Sequence, residues 1–169
     1  MSDGPDHPNA RLIRDLYGCI GAHDAAGAAR FYAPDATFRD IAFRWKSRVG
    51  IAAMWRYICS PSTGSEIETR VDSALADDQA GLARTVSFYF MDAPGFGRHR
   101  VENHIVSTFE FRDGLIVAQR DSCDPVIWAE QAFGPGAFAS IVGRSGKLRW
   151  LVAMIKVGVF SAKEKLGRA

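Results

Sequence analysis

Asp121, a carboxylate that ends a predicted apolar strand, is the residue of this sequence best suited to chemistry. Asp40 ends the short stretch ATFRD at residues 36–40, and Asp121 ends the strand in FEFRDGLIVAQRD at residues 109–121. A carboxylate in an apolar pocket has a raised pKa and can take a proton from carbon beside a carbonyl group. Two carboxylates in different environments can divide the acid and base roles. An alternative for Asp121, a surface carboxylate paired with a neighbouring arginine, stays open, because ion-pair networks also place charges at strand ends.

Other reaction chemistries lack their motifs. The sequence has no metal-ligand spacing, no P-loop and no GxGxxG fingerprint, and Gly134-Pro135-Gly136 follows a predicted helix. No histidine is placed near a serine or cysteine by a readable motif, so a nucleophilic triad is not indicated. We therefore expect no metal and no cofactor.

The hairpin before Asp121 is the clearest structural signal. Phe109 and Phe111 alternate with charged residues, and Asp113-Gly114 is typical of a two-residue turn, because glycine accepts the positive φ that such turns require. Phe109, Phe111 and Ile105 share the parity of Ser107. We expect these three to be buried against the first and third helices.

Three helical segments precede the strands. Asn9 is a possible N-cap of the first helix, and Asp24 caps a second, alanine-rich helix that Pro34 stops. Residues 48–59 show the apolar spacing of a third helix. Strands are predicted at residues 66–76, 82–91 and 99–111, before the hairpin, and a last core helix begins at Pro125. Helices followed by antiparallel strands indicate an α+β fold.

The chain divides into three parts. Residues 1–8 are a flexible arm, residues 9–136 form the domain, and residues 137–169 are a basic helical extension. Residues 144–169 carry seven Lys or Arg and one Glu, a charge of +6, and residues 147–163 are expected to form a helix. Its middle is apolar on most sides. Packing on the domain or on a partner subunit is favoured over contact with a membrane, since the basic residues cluster at its ends.

Bulk properties describe an ordinary soluble domain. The chain has 169 residues, 47% of them hydrophobic, and a net charge of +2, so nothing global calls for nucleic acid. Three cysteines without a CxxC motif indicate reduced thiols of a cytosolic protein. The beginning, MSDGPDHPNA, lacks the features of a signal peptide, and no apolar run is long enough to span a membrane. We expect a cytoplasmic location.

The order of elements, with YAPDATFRD at 32–40 and FEFRDGLIVAQRDSCD at 109–124, resembles the nuclear transport factor two-like superfamily. This group includes SnoaL-like polyketide cyclases, ketosteroid isomerases and limonene-epoxide hydrolases. The resemblance covers about residues 9–133. It implies a curved antiparallel sheet wrapped around N-terminal helices to form a cone, whose open end is a pocket for an apolar small molecule. It also implies a homodimer.

The resemblance assigns roles to both aspartates. In ketosteroid isomerases the Asp that ends the first short strand is the general base, and Asp40 matches it. In the cyclases and epoxide hydrolases the Asp of the final Arg-Asp is an acid or base, and Asp121 matches it. Asp40 and Asp121 are therefore expected to be catalytic and to face one cavity. The side chains expected to bind the substrate are Tyr17, Trp55, Asn103, Ser107, Gln119 and Trp128.

Other family residues are missing. Ser107 stands where the isomerases have an oxyanion-binding Asp, and their helical Tyr falls at Leu16, with Tyr17 about 100° round the helix. These differences argue against steroid isomerisation, because an oxyanion donor contributes a few kcal/mol to the barrier. The epoxide hydrolase triad is also incomplete, since residues 82–91 contain Arg84 but no Asp.

The leading hypothesis is a SnoaL-like enzyme that performs cofactor-independent cyclisation or isomerisation of an apolar carbonyl compound. The alternative is a non-catalytic module for ligand binding or dimerisation on the same fold, because fold does not settle activity.

Overall fold

Helices cover one face of a six-stranded sheet in the residues that the computed structural model describes, which are 4–64, 66–93 and 95–166. The helices are α1 (Pro8–Gly21), α2 (Ala25–Ala29), α3 (Arg48–Cys59), α4 (Pro125–Phe133), α5 (Ala137–Arg144) and α6 (Gly146–Leu166), with a short 3₁₀ turn at Pro61–Thr63. The strands are β1 (Tyr32–Arg39), β2 (Arg44–Trp45), β3 (Glu68–Ala76), β4 (Ala80–Ala93), β5 (Gly97–Arg112) and β6 (Leu115–Ser122). The expected α+β class, a curved open sheet around helices, is confirmed.

The strand order is β2-β1-β6-β5-β4-β3. The strands from β3 to β6 form the expected antiparallel meander, and the turn between β5 and β6 has positive φ at both Asp113 (53°) and Gly114 (71°), as a two-residue hairpin requires. Strand β1, in contrast, lies parallel to β6. This pairing joins the first strand of the chain to the last and brings their carboxyl ends to the same edge of the fold.

The core lies between the sheet and helices α1 and α3. Phe109 and Phe111 are buried in the same cluster as side chains of both helices, as predicted, whereas Ile105 is only half-buried. Helix α1 approaches the sheet so closely at Gly81 that a Cβ there would lie 2.9 Å from both Ile13 and Phe111. Burial of each large apolar side chain contributes about 1.5–3 kcal/mol, so this layer fixes the inner face of the sheet.

The N-terminal region differs from the sequence prediction in detail. His7, not Asn9, caps α1, and the Asn9 side chain instead donates to the Asp77 carbonyl at 2.8 Å. Residues 1–3 of the expected flexible arm lie outside the described residues, but Gly4 bridges to Ala76. Strand β1 begins before Pro34, which lies where the register with β6 shifts. A proline is tolerated there because the ladder is interrupted and no backbone N–H is needed.

Helix α4 runs beside β5 beyond the end of β6. Ser122 is the last residue of β6 and pairs with Val106, so within the described residues the part of β5 before Val106 has no strand partner on that side. The Gln131 side chain accepts a hydrogen bond from the Glu102 backbone N–H at 2.6 Å, and the Trp128 indole donates to the Tyr89 hydroxyl at 2.8 Å. These contacts hold α4 at the open edge.

The C-terminal extension forms α5 and α6, and α6 includes all of the predicted helix 147–163. Ala153 and Val157 are buried, and Phe160 packs edge-on against Tyr57 of α3 with ring centroids 5.6 Å apart. The opposite side of α6 carries exposed apolar residues, namely Trp150, Leu151, Ile155 and Val159. Arg149, one of the basic residues near the start of α6, is half-buried, and its guanidinium donates to backbone carbonyls. Within the described residues, no helix has the length and hydropathy needed to cross a membrane.

Candidate acid–base site

The parallel strands β1 and β6 bring the dipeptide Arg-Asp to the same end of the sheet twice. Arg39 pairs in register with Arg120, and the next residue of each strand is an aspartate. Side chains alternate along a strand, so the aspartates turn toward the helix-covered face and the arginines toward the outer face. The arginines are exposed and the aspartates partly buried, in agreement with this alternation. Asp40 and Asp121 therefore lie next to each other at the ends of the neighbouring strands β1 and β6.

Both aspartates line one pocket of about 290 Å³. The residues around it are Arg39, Asp40, Ile41, Arg44, Arg120, Asp121, Ser122, Gly146 and Arg149. This lining is mainly charged and differs from the apolar pocket that the resemblance implies, because aromatic side chains such as Phe38 and Trp55 pack into the core. Helix α6 supplies Gly146 and Arg149, so the C-terminal extension closes one side of the pocket.

Asp40 is held by the turn that follows β1. Its Oδ1 accepts hydrogen bonds from the backbone N–H groups of Ala42, at 2.7 Å, and Phe43. Its Oδ2 makes no hydrogen bond to the described residues. Burial raises the pKa of Asp40 to about 6, although the two N–H groups and the nearby Arg149 oppose this shift. Asp40 thus has one fixed oxygen, one free oxygen and a pKa close to neutrality, which suits a general base.

Asp121 is held by two side chains of the sheet. The Gln119 amide donates to its Oδ1 at 2.9 Å, and Ser107, which pairs with Asp121 in register on β5, lies beside it and lowers its pKa. The pKa of Asp121 is raised to about 7, chiefly by burial and to a smaller extent by the charge of Asp40, whereas Gln119 and Ser107 lower it. Asp121 therefore keeps its proton to a higher pH than Asp40 does.

Two tyrosines orient the partners of Asp121. The Tyr32 hydroxyl donates to the Gln119 carbonyl oxygen at 2.5 Å, which leaves the amide NH₂ to point at Asp121. The Tyr17 hydroxyl and Ser107 Oγ are 2.7 Å apart. All four of these side chains are buried, and burial together with the Asp121 charge raises the pKa of both phenols, which stay protonated. The hydrogen-bonded chain Tyr32–Gln119–Asp121 fixes the carboxyl group in one orientation, and the Tyr17–Ser107 pair lies beside it.

The family model for the SnoaL-like domain matches residues 13–119 of this sequence. The chain belongs to this family. Asp40 lies inside the matched region, and Asp121 follows its last residue by two positions. No curated protein matches the sequence.

Solved structures share the SnoaL-like fold with this chain. A LEH-like epoxide hydrolase from M. tuberculosis is 20% identical, with a TM-score of 0.59 over 88% of this chain and 95% of that one. A putative SnoaL-like polyketide cyclase from Jannaschia sp. is 13% identical, with a TM-score of 0.63 over 76% and 94%. A putative ketosteroid isomerase from Kribbella flavida is 16% identical, with a TM-score of 0.55 over 71% and 80%. At these identities the likeness concerns the fold alone.

The SnoaL-like fold separates the six side chains that were expected to bind substrate. Tyr17, Ser107 and Gln119 lie behind Asp121 and support it. Trp55 is buried in the core, where it packs edge-on against Phe38. Asn103 and Trp128 line a different pocket of about 490 Å³, between β5 and α4. None of the six is among the residues that line the pocket shared by the aspartates.

Sequence reasoning missed several residues of this SnoaL-like site. Tyr32, which belongs to β1 and hydrogen-bonds to Gln119, was not among the predicted site residues. Arg149 comes from the extension, which the family resemblance does not reach. Both β1 and β6 end in Arg-Asp, and this repeat could have indicated that Arg39 and Arg120 are neighbours in the sheet. Arg84 is exposed on the outer face of β4 and does not approach this pocket.

Proposed function

We propose that this SnoaL-like protein catalyses acid–base chemistry, an isomerisation or a cyclisation, on a small carbonyl compound without a cofactor. The main support is that Asp40 and Asp121 share one pocket, in which burial raises the pKa of both carboxyl groups toward neutrality, to about 6 and about 7. In this pH range the pair holds about one proton, and the charge of Asp40 favours its retention on Asp121. A base and an acid then stand side by side, which is the arrangement that proton transfer needs.

Asp40 acts as the base in this scheme. Its free Oδ2 takes a proton from the carbon beside the carbonyl, the C–H electron pair forms a C=C bond, and the carbonyl oxygen gains negative charge. The protonated carboxyl group of Asp121 donates a hydrogen bond to that oxygen, in the position of an oxyanion donor. In an isomerisation, Asp40 returns the proton to a different carbon, and both carboxyl groups regain their starting states.

A cyclisation uses the same first step. The new carbon nucleophile forms a bond with a second carbonyl carbon of the same molecule, and the oxygen of that carbonyl takes the proton from Asp121. The proton on Asp40 then restores Asp121 through water. The buried network of Gln119 and Ser107 keeps the Asp121 carboxyl in place during both reactions, so no side chain has to reorganise.

Deuterium exchange tests this function without knowledge of the natural substrate. The protein is incubated in D₂O with a panel of ketones and oxo acids, and NMR follows deuterium incorporation beside the carbonyl. Removal of the base in Asp40→Asn is expected to lower the protein-dependent rate by about 10²–10⁴-fold. Removal of the acid in Asp121→Asn is expected to lower it by about 10²–10³-fold.

Asp35→Asn is the matched control, because Asp35 lies on the same strand, β1, but is exposed and pairs with Arg112 at 2.8 Å. Its rate should equal that of the unaltered protein. If compounds bind in the pocket but exchange no faster than in buffer, the protein is a binding module on the SnoaL-like fold and not an enzyme of this kind.

A further inference from the structure

We propose that the pocket of Asp40 and Asp121 binds an anionic group of its ligand, a carboxylate or a phosphate, through Arg39, Arg44 and Arg120. A role of these three arginines in substrate recognition rests on the proposed function. Their binding of an anion does not depend on that function. The ligand class that results is a compact carbonyl compound with an acidic group, such as an oxo acid, and differs from the apolar ligand that the family resemblance implies.

The three arginines form a row across three strands. Arg39 of β1 pairs in register with Arg44 of β2 on one side and with Arg120 of β6 on the other. Residues opposite each other on neighbouring strands have Cβ atoms about 4.5–5.5 Å apart, and like charges at such positions destabilise the sheet. Three positive charges thus stand together at the pocket mouth, where a bound anion would offset their repulsion.

The row has no ion-pair partner among the residues that the structure describes. Within the described residues Arg39, Arg44 and Arg120 make neither an ion pair nor a side-chain hydrogen bond. Glu110 of the neighbouring strand pairs in register with Ala118 and forms no ion pair with the row. A different arginine, Arg112, does have a carboxylate partner, Asp35. The sheet therefore pairs other exposed arginines, Arg70, Arg98 and Arg112, with carboxylates, whereas the three at the pocket have no ion-pair partner among the described residues.

Arg149 adds a fourth positive charge from the opposite side of the pocket. Its guanidinium donates to the carbonyl oxygens of Ile41, Val142 and Gly143 at 2.9, 2.8 and 2.6 Å, through Nε and Nη1. These bonds hold the group in one plane, and Nη2 makes no hydrogen bond to the described residues. A guanidinium held in this way is preorganised to bind an oxyanion.

The balance of charge and the size of the pocket define the ligand. Four arginines and two aspartates line it, so its charge is at least +2 even when both carboxyl groups are ionised. Its volume of about 290 Å³ is that of about ten water molecules. Arginine forks match carboxylate and phosphate oxygens with two parallel hydrogen bonds. A small anion is therefore the ligand that satisfies both the charge and the volume.

Titration of the full-length protein with three probes tests this site. Pyruvate carries a carboxylate beside a carbonyl, methyl pyruvate is its uncharged ester, and inorganic phosphate represents the other anion. NMR or calorimetry should show that pyruvate or phosphate binds with a dissociation constant of about 10 mM or lower. Methyl pyruvate should bind at least about tenfold more weakly. Stronger binding of phosphate than of pyruvate would assign the site to phosphorylated ligands, and the reverse to carboxylates.

Substitutions locate the binding. Arg120→Gln and Arg44→Gln should each weaken anion binding by about tenfold or more, since a charge-assisted hydrogen bond is lost. Arg84→Gln is the control, because Arg84 is an exposed arginine of the same sheet face, two strands from β6. Each pocket variant relieves repulsion within the row, so both are expected to fold, and melting curves check this.

Three results would overturn the anion site. These are no detectable binding of either anion, equal binding of methyl pyruvate and pyruvate, or an equal loss of binding in Arg84→Gln, which would indicate a general charge effect. Deuterium exchange into neutral ketones that depends on Asp40 would still support the proposed function in each case. The two ideas therefore fail by different measurements.

Discussion

Replacement of Asp121 by asparagine is expected to stabilise the fold at alkaline pH. The pKa of Asp121 rises from its ordinary value of 3.8 to about 7 in the folded protein, chiefly through burial. A carboxyl group with a raised pKa favours the folded state most at low pH, and this contribution is lost as pH rises from about 4 to about 7. Each pKa unit corresponds to about 1.4 kcal/mol. The difference of about three units therefore means that ionised Asp121 lowers the free energy of unfolding by about 4 kcal/mol at pH 8.

Asparagine has the shape of aspartate but does not titrate. Its carbonyl can accept from Gln119 and its NH₂ can donate to Ser107, so the buried network is kept. The stability of Asp121→Asn relative to the unaltered protein should therefore increase by about 3–4 kcal/mol between pH 4 and pH 8. For a chain of this size that corresponds to about 6–15 °C in melting temperature.

Urea unfolding at pH 4, 6 and 8 measures this difference directly. Asp35→Asn serves as the control with the opposite sign, because Arg112 holds the pKa of Asp35 below its ordinary value and the substitution should not stabilise the protein at high pH. A difference between Asp121→Asn and the unaltered protein that stays constant from pH 4 to pH 8 would refute a raised pKa at this position, and with it the acid role of Asp121.

Three further predictions follow from the site. The deuterium-exchange rate should pass through a maximum between about pH 6 and pH 7, since Asp40 must lose its proton and Asp121 must keep one; a rate that rises steadily to pH 9 would exclude this pair. Tyr32→Phe should lower stability by about 1–3 kcal/mol in urea unfolding, because it leaves the buried Gln119 carbonyl without its donor, and an unchanged midpoint would contradict this. Deletion after Ser145 should lower the melting temperature, because it removes α6 from α3; if melting temperature and oligomeric state are unchanged, the helix is not structural, and lipid co-sedimentation would then test it at membranes.

Local sequence patterns were enough to predict most of the elements, although the second helix ends at Ala29 and Pro34 lies within β1. Helix α3 and helix α4 begin and end where their spacing and flanking residues indicate, and Asp113-Gly114 forms the predicted hairpin turn. These features depend on neighbouring residues, whose preferences act whatever the rest of the chain does. The same holds for the burial of Phe109 and Phe111, which follows from their alternation along β5.

The site depended on contacts between distant parts of the chain. The parallel pairing of β1 with β6 joins residues about 80 positions apart, and nothing in either strand alone shows that their arginines form a row. Arg149 reaches the pocket only because α6 returns across the fold. Tyr17 was expected to bind substrate, but its hydroxyl meets Ser107 behind the carboxyl group and does not line the cavity. Helical spacing gives the direction of such a side chain, not the partner it finds.

The position of α4 also has a consequence for association of the chain with itself. A strand with free N–H and C=O groups along one side is a template on which another chain can add a strand. Strand β5 is long enough to offer such a side beyond the end of β6, and α4 occupies it, with Gln131 taking the N–H of Glu102. The Asp124 side chain begins this helix by accepting the N–H groups of Val126 and Ile127. A variant that weakens that cap would free the β5 edge while the core stays folded, so its first visible defect should be aggregation from the native state, at temperatures below unfolding.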